Sequence, residues 1–253
     1  MDSSRHSDGF LKVEGLVKRF GVFTAVNGVD LDVREGELRA VIGPNGAGKT
    51  TLFNLLSGFL PTTDGTASFK GKPITGLSAD QIVRLGIGRT FQITSLFPQL
   101  TVLENVQAGV QGKAGKPHPF RNLEGMRDSW ERAREVLVLL GMADRAEVQV
   151  TDLAHGEQKL VDIGIALASD PELLLLDEPT AGLSAHETHA MTDKIREFSA
   201  SRTILIVEHD MRVVMSLAET ISVLHQGKKL AEGTPEQIRG DAEVRRVYLT
   251  RGV

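Results

Sequence analysis

A glycine-rich segment followed by a lysine and two threonines is the first feature of this sequence that could do chemistry. It has the spacing Gly-x-x-x-x-Gly-Lys-Thr, which begins at Gly43 and ends at Thr50. Glycines let a backbone curl so that successive amides point at phosphate oxygens, and a helix N-terminus behind them favours an anion. Lys49 could then reach the β- and γ-phosphates, and the hydroxyl of Thr50 could bind Mg²⁺. The predicted nucleotide loop consists of Gly43, Pro44, Asn45, Gly46, Ala47, Gly48, Lys49, Thr50 and Thr51.

Two acidic residues form the second candidate site. Asp177 and Glu178 directly follow the four leucines at 173–176. Ligands of parallel sheets bind at the carboxyl ends of strands. Asp177 would hold Mg²⁺, directly or through water, and Glu178 would polarise an attacking water as general base. Taken alone, the pair could equally be the solvated end of a strand, but a phosphate loop in the same chain favours the catalytic interpretation.

Each of the two candidate sites should directly follow a short buried strand in the sequence. Residues 173–176 are all leucine, and residues 38–42 and 203–207 are apolar apart from Arg39 and Thr203. Helical stretches separate these three runs. Continuous apolar strands separated by helices are typical of a parallel sheet that is covered on both faces. We therefore expect the two sites to lie at one edge of such a sheet.

The remaining segments predict two further layers. Residues 10–42 have the apolar spacing of strands, with a turn signal at Asn27-Gly28, and residues 61–76 predict a hairpin. Residues 80–168 are expected to contain helices joined by loops and no strand, with a flexible loop at 109–119, which interrupts the α/β pattern as an inserted subdomain would.

Composition excludes several classes of protein. Of 253 residues, 41% are hydrophobic and 25% charged, which is ordinary globular usage. The net charge of −4 and the lack of a basic block give little support to nucleic-acid binding. The absence of cysteine removes disulfides and thiol nucleophiles, and fits a cytoplasmic protein. No apolar run approaches the length that spans a bilayer, and the polar first ten residues carry no secretory signal.

Further motifs follow one another in a set order. They are Phe20, Gln92 in RTFQ, LAHGEQ at 153–158, AGLS at 181–184, and His209. With the phosphate loop and the acidic pair, they make the chain resemble the ATP-binding subunit of an ABC transporter, over nearly its whole length. The resemblance implies an α/β fold: a P-loop NTPase (RecA-like) core with an antiparallel β subdomain and an inserted α-helical subdomain.

The same resemblance implies a division of the chain. One ABC ATPase domain would span residues 10–250. The β subdomain and the core would occupy 10–79 and 169–224, the helical subdomain with the signature motif would occupy 80–168, and 225–253 would be a C-terminal segment.

The resemblance also implies ATP and Mg²⁺ as ligands and gives roles to single residues. Phe20 would stack on adenine, and His209 would contact the γ-phosphate. Gln92 would touch Mg²⁺ and water and sense the membrane partner. The implied catalytic residues are Glu178, His209 and Gln92, and the implied metal-binding residues are Thr50, Gln92 and Asp177.

The segment that resembles the family's LSGGQ signature departs from it. In the family this segment completes the ATP site of the opposite subunit, so Ala154, His155, Gly156 and Glu157 are expected to contact nucleotide. Ala154 replaces the serine and His155 the first glycine, and Ser184 replaces the usual D-loop aspartate. We expect the chain still to bind ATP and to dimerise. Whether the two ATP sites of the dimer hydrolyse ATP at equal rates stays open. His155 could bond a phosphate or be a solvated loop residue.

Several segments resemble the branched-chain (hydrophobic) amino-acid uptake group in particular. They are GRTFQ at 88–92, LTVLENV at 100–106, the LAHGEQ variant, and AEGTPEQI at 231–238. The partners implied are a second ABC ATPase subunit, identical or paralogous, two membrane permeases and, indirectly, a periplasmic or extracellular binding protein. The implied location is the cytoplasmic face of the cell membrane, as a peripheral subunit.

Other functions remain open on the sequence. Importers of urea or short amides share these features. A soluble ABC-type ATPase that acts on ribosomes or DNA is a second class, although the single ATPase half without long heptads favours transport. A non-hydrolytic, nucleotide-gated scaffold is a third, motivated by Ala154 and Ser184.

Overall fold

Three apolar strands lie side by side at the centre of the larger of two sheets. They are β3 (Leu38–Ile42), β8 (Thr203–Val207) and β7 (Leu173–Asp177), and every residue in them is buried. β3 pairs with β8, and β8 with β7, both in parallel, as the apolar runs predict. The structure is a computed structural model that describes residues 9–90, 96–113 and 123–249.

Three more strands extend this sheet. β6 (Ile87–Arg89) adds in parallel to β7, and β9 (Thr220–His225) adds in parallel to β3. β10 (Lys228–Gly233) adds to β9 in the antiparallel sense. The spatial order is β10-β9-β3-β8-β7-β6. The carboxyl ends of β3, β7 and β8 therefore meet at one edge, where the residues that follow them come together.

The smaller sheet is antiparallel. Its strands are β1 (Leu11–Phe20), β2 (Phe23–Val33), β4 (Asp64–Phe69) and β5 (Lys72–Pro73), in the spatial order β2-β1-β4-β5. The pairing of β4 with β5 confirms the hairpin predicted within residues 61–76.

The turn predicted at Asn27-Gly28 is wrong. β2 continues through both residues, and the chain reverses between β1 and β2 instead. Leu16 pairs with Val29 and Val17 with Asn27, so Gly28 is an extra residue in β2, with φ at +71°. A β-bulge and a tight turn both need a residue with positive φ, for which glycine is favoured. The dipeptide Asn27-Gly28 therefore did not distinguish a bulge from a turn.

Helices cover both faces of the larger sheet. Those in the described residues are α1 (Lys49–Leu56), α2 (Ala79–Leu85), α3 (Val102–Lys113), α4 (Leu123–Leu140), α5 (His155–Ala168), α6 (Ala185–Ser199), α7 (Met211–Leu217), α8 (Pro235–Gly240) and α9 (Ala242–Leu249). Single 3₁₀ turns at Ala143–Arg145 and Val150–Asp152 lead into α5.

Glycine brings three of these helices close together. A Cβ atom on Gly164 of α5 would lie 2.7 Å from a methyl carbon of Leu140 in α4 and 3.2 Å from one of Val106 in α3. A larger residue would push the helices apart, so Gly164 sets the tight packing of the helical region. This region carries the segment that resembles the signature.

The sequence predicted no strand within about residues 80–168, and this prediction is wrong. Ile87–Arg89 form the edge strand β6 of the core sheet, bonded to β7. Three residues are too few for a periodic pattern, and their extended form depends on pairing with a strand about 85 residues away. Part of the range expected to form the inserted subdomain is thus built into the core sheet.

Two apolar cores lie on opposite faces of the larger sheet. In β7, Leu174 and Leu176 face the helical region, while Leu173 and Leu175 face α1 and the smaller sheet. This alternation explains why the strand carries four leucines in a row before Asp177. Among the described residues, no helix combines the length and the apolar character needed to cross a membrane.

Candidate nucleotide site

The glycine loop connects the end of β3 to the start of α1, as predicted. Gly48 precedes the helix with φ at +101°, a conformation that residues with a Cβ rarely adopt. A Cβ on Gly48 would lie 2.4 Å from the carbonyl oxygen of Ala25, and one on Gly43 would lie 2.2 Å from that of Leu224. Neighbouring backbone therefore leaves room only for glycine at both ends of the loop.

Lys49 is folded back onto the loop. Its ammonium donates hydrogen bonds to the carbonyl oxygens of Gly43 at 2.7 Å and Pro44 at 3.3 Å. Burial lowers the pKa of Lys49, while the carboxylates of Glu178 and Asp177 oppose this shift. A buried cation held against the backbone of a glycine-rich loop is suited to bind a phosphate group.

An open cavity of 580 Å³ lies over this loop. Its wall includes Asn45 and the rest of the loop through Thr51, and it also includes Glu178 and His209. The structure thus brings three segments that are far apart in sequence to one cavity. The roles of Glu178 as base and of His209 as γ-phosphate contact stay predictions.

The aromatic residue at this cavity is Phe23. It lines the wall next to Ala25, whereas Phe20, the residue expected to stack on adenine, is not among the lining residues. Phe20 pairs with Phe23 across the β1–β2 hairpin, and both rings are about half exposed. The sequence analysis missed Phe23. The signal that could have identified it is the pairing of β1 with β2, which places Phe23 directly opposite Phe20. Adenine stacking by Phe20 stays a prediction.

Asp177 is buried at the end of β7. Its Oδ2 accepts a hydrogen bond from Nη2 of Arg89 at 3.0 Å, and its amide donates to Oγ1 of Thr90 at 3.2 Å. Burial raises the pKa of Asp177, and the adjacent Arg89 guanidinium opposes that rise. The sequence analysis quoted Arg89 only as part of a motif and gave it no role.

Two of the residues predicted to hold Mg²⁺, Asp177 and Thr50, fit such an ion. Oδ1 of Asp177 is buried and has no hydrogen-bond partner among the described residues. Thr50 adds a hydroxyl at the cavity wall. In the part of the chain that the structure describes, no three His, Asp or Glu side chains come together as a metal site. One carboxylate and one hydroxyl suit Mg²⁺, which completes its shell with phosphates and water.

Glu178 has a backbone conformation that is uncommon outside glycine. Its φ is +51°, held by a hydrogen bond from its amide to the carbonyl oxygen of Val207 at 2.9 Å. Its own carbonyl accepts a hydrogen bond from the ammonium of Lys159 at 3.2 Å. A left-handed residue costs on the order of 1 kcal/mol or more and persists only where the surroundings impose it. The turn directs the chain out of β7, and Glu178 lies on the cavity wall.

Glu208 is a second residue that the sequence analysis missed. It is fully buried next to His209 and accepts hydrogen bonds from the amide and the hydroxyl of Thr180. Its Oε2 accepts a hydrogen bond from the amide of His209 at 3.1 Å. A carboxylate at the end of an apolar strand is the signal that could have identified it, by analogy with Asp177.

The signature-like segment lies at the start of α5, away from the cavity. Ala154 is the N-cap of that helix, and Glu157 bonds the amide of Ala154 and pairs with Arg145. Neither His155 nor Gly156 lines the phosphate-loop cavity. The four residues are therefore not brought to the loop of their own chain, and their contact with nucleotide stays a prediction.

Ser184 has a structural role that the family's aspartate could also fill. It is the N-cap of α6, its amide donates to Oε2 of Glu187 at 2.9 Å, and its hydroxyl bonds the same oxygen at 2.7 Å. Serine and aspartate are both favoured at this position. The replacement therefore keeps the start of α6 intact. Gln92 lies outside the described residues.

A phosphate loop with an acidic residue on the same cavity defines a nucleotide-binding P-loop protein. The comparisons identify its family. Residues 26–181 match the family model described as ABC transporter, and residues 228–249 match the model described as branched-chain amino acid ATP-binding cassette transporter. The chain belongs to the ABC transporter family, as an ATP-binding subunit.

One relative and two solved structures illustrate the similarity. The chain is 42% identical to the high-affinity branched-chain amino acid transport ATP-binding protein LivG of Escherichia coli (strain K12), over 96% of this chain and 98% of LivG. It resembles the ADP conformation of MJ1267, an ATP-binding cassette of an ABC transporter, with a TM-score of 0.84, 32% identity and coverage of 95% and 98%. For the dimeric bacterial cassette MJ0796, the TM-score is 0.76, the identity 26% and the coverage 89% and 98%.

Proposed function

We propose that the chain is the ATP-hydrolysing subunit that energises an importer of branched-chain amino acids. One observation carries the hydrolytic part: the phosphate loop, Glu178 and His209 line the same cavity, with Asp177 buried beside it. The similarity to LivG and the match of residues 228–249 support the amino-acid part.

In the proposed mechanism the loop amides and Lys49 hold the phosphates of ATP. Thr50, Asp177 and Gln92 would hold Mg²⁺, and that ion would supply positive charge to offset the charge of the phosphate oxygens. Glu178 accepts a proton from the attacking water, and His209 contacts the γ-phosphate.

A second copy or a paralogue is expected to complete each site. The residues from Ala154 to Glu157 lie at the N-terminus of a 14-residue helix and do not line the cavity of their own chain. Amides at such a terminus can bind the phosphate of another subunit. The similar cassette MJ0796 is dimeric, which supports the pairing of two subunits. In the proposed pair, ATP would bridge the two subunits and shift them toward the closed form.

An apolar groove next to the helical region suits a membrane partner. It measures 390 Å³ and contains two half-exposed rings, Phe59 and Phe97, together with Ile82, Val83 and Ile165. A short cytoplasmic helix of a permease is the proposed occupant. Two permeases would hold the subunit at the cytoplasmic face of the membrane. A binding protein would act on the opposite face of the membrane.

A reconstituted system separates the possible substrates. The chain, its permeases and a binding protein would be placed in liposomes, and ATP turnover measured with leucine, urea or no solute. Stimulation by leucine supports the proposal, whereas stimulation by urea alone supports a urea or amide importer. Turnover that ignores permeases and solutes would indicate a soluble ATPase, and no turnover at all would indicate a nucleotide-gated scaffold.

A further inference from the structure

Arg89 joins three parts of the molecule through one guanidinium group. Its Nη1 donates to Oδ1 of Asn54 at 2.8 Å and to Oγ of Ser57 at 2.6 Å, and its Nη2 donates to Oδ2 of Asp177 at 3.0 Å. Asn54 lies in α1, the helix that begins at the phosphate loop, and Ser57 ends it. Arg89 thereby connects that helix, the edge strand β6 and the end of β7.

The bond between Arg89 and Asp177 is buried. The side chain of Arg89 is 6% exposed and that of Asp177 is 0% exposed. A planar guanidinium can bond several acceptors in fixed directions at once, whereas an ammonium cannot reproduce that fork. The bond therefore holds the carboxylate in a defined orientation and not merely next to a positive charge.

This orientation gives the two oxygens of Asp177 different roles. Oδ2 accepts from Arg89, whereas Oδ1 is buried and has no hydrogen-bond partner among the described residues. Thr90, the next residue after Arg89, also bonds the amide of Asp177. The backbone and one oxygen are thus held by residues 89–90, which leaves the other oxygen for an ion.

Arg89 also borders the apolar groove. It is among the lining residues, and its guanidinium carbon lies 5.7 Å from the ring centre of Phe59 and 5.8 Å from that of Phe53. Phe59 lines the same groove and is half exposed. A group that presses on Phe59 from the groove is therefore one side chain away from Asp177.

We propose that Arg89 is a positioning residue that keeps Oδ1 of Asp177 available to Mg²⁺ and makes that carboxylate sensitive to what occupies the groove. This inference rests on the proposed function, since that function supplies both the ion and the occupant. It adds a direct structural connection, through one residue, between the partner surface and the metal site.

The first test measures how much Mg²⁺ improves ATP binding. Calorimetry on the purified full chain would compare ATP affinity in Mg²⁺ with that in EDTA, for wild type, Arg89→Ala and Arg89→Lys. Loss of a partner that orients a metal ligand typically costs about 10–100-fold in metal affinity. We expect a loss of about that size in the Mg²⁺-dependent gain for both variants, with affinity in EDTA within about twofold of wild type.

The control for this test is Arg127→Lys, which alters an exposed ion pair with Glu131 on α4. It should keep the full gain. If the Arg89 variants fold poorly, Asn54→Ala removes one acceptor of the guanidinium and should give a smaller loss in the same direction. If the Arg89 variants fold and keep the full Mg²⁺-dependent gain in ATP affinity, the inference is overturned. If they do not fold, a full gain in Asn54→Ala overturns it. No gain in wild type would overturn it too, whereas no binding of ATP by wild type would defeat the proposed function itself.

The second test fills the groove. The chain has no cysteine, so Phe97→Cys introduces a single thiol in the groove and Val138→Cys a single thiol on the exposed part of α4. Each would be labelled with pyrene maleimide. We expect the label on Phe97→Cys to change the Mg²⁺-dependent gain by about threefold or more. The label on Val138→Cys should not change it, and Arg89→Ala should remove the response. Equal gains with and without the groove label would refute the link to the groove.

Discussion

The carboxylate of Glu208 accepts two hydrogen bonds from Thr180, one from its amide at 2.9 Å and one from its hydroxyl at 2.6 Å. Thr180 lies two residues after Glu178, and Glu208 directly precedes His209. The contact therefore connects the loop that carries the proposed base to the end of the strand that carries the proposed phosphate contact. It lies in the interior, where both bonds are shielded from water.

Thr180→Val removes the hydroxyl bond and keeps the shape of the side chain. A hydrogen bond to a charged acceptor contributes about 1.5–3 kcal/mol, so the free energy of unfolding should fall by about that amount. Urea denaturation would measure it. Thr188→Val, at a half-buried position on α6, serves as the matched control and should stay within about 0.5 kcal/mol of wild type.

Lys49→Ala removes the cation that lies on the carbonyls of Gly43 and Pro44. A charge-assisted bond to phosphate contributes about 1.5–3 kcal/mol, so ATP affinity should fall by about 10–100-fold. Isothermal titration would measure the affinity, with the exposed Lys228→Ala as control. An unchanged affinity would refute the assignment of the phosphate loop.

Glu178→Gln keeps the size of the side chain and removes its basicity. General bases contribute about 10²–10⁴-fold to rates, so turnover should fall by that order while ATP binding is retained. Phosphate release and ATP titration would be measured on the same sample. Glu172→Gln, at the opposite end of β7 and paired with Lys70, is the control. Near wild-type turnover would remove Glu178 as the base.

Ala154→Ser restores the residue expected from the signature at the N-cap of α5. A serine hydroxyl there can accept a bond from an amide of the first turn, so the protein should become more stable by about 0.5–2 kcal/mol. Turnover in the dimer should stay equal or rise. A collapse of turnover in a protein that is no less stable would mean that His155 has rebuilt the contact in another way.

Tyr248 is the single tyrosine of the chain. Burial raises its pKa to about 12, although contact with the Gly43 amide opposes the rise. Between pH 10 and 12 the unfolded chain loses this proton while the folded chain keeps it. Stability should therefore fall as pH rises through that window, by on the order of 1–3 kcal/mol.

Absorbance of tyrosinate at alkaline pH would check this titration directly. A midpoint near 10 in the folded protein would contradict the expected burial of the phenol. Tyr248→Phe should lack this part of the pH dependence, which separates it from the titration of lysines over the same range.

Much of the site was predictable because its parts are local. The phosphate loop needs a strand, a run of small residues and a helix in one continuous segment, and residues 38–56 supply all three. The acidic pair likewise follows an apolar strand directly. The parallel sheet followed from strands that are apolar at most positions with no alternation of polar residues, a pattern that burial on both faces explains.

Other features failed because their cause is not local. β6 is extended only because β7 lies beside it, and Gly28 forms a bulge because the pairing with β1 places an extra residue there. In each case the nearby sequence was compatible with more than one conformation, and contacts with a distant segment selected one.

The sequence by itself determined the family, the phosphate loop and the identity of the acidic pair, because these depend on consecutive residues and their chemistry. Only the tertiary structure decided which groups hold that chemistry in place. Arg89 meets Asp177 across 88 positions, and Glu208 meets Thr180 across 28. Such pairs leave no periodic or spacing signal, since their contact exists only once the strands between them have been ordered in the sheet.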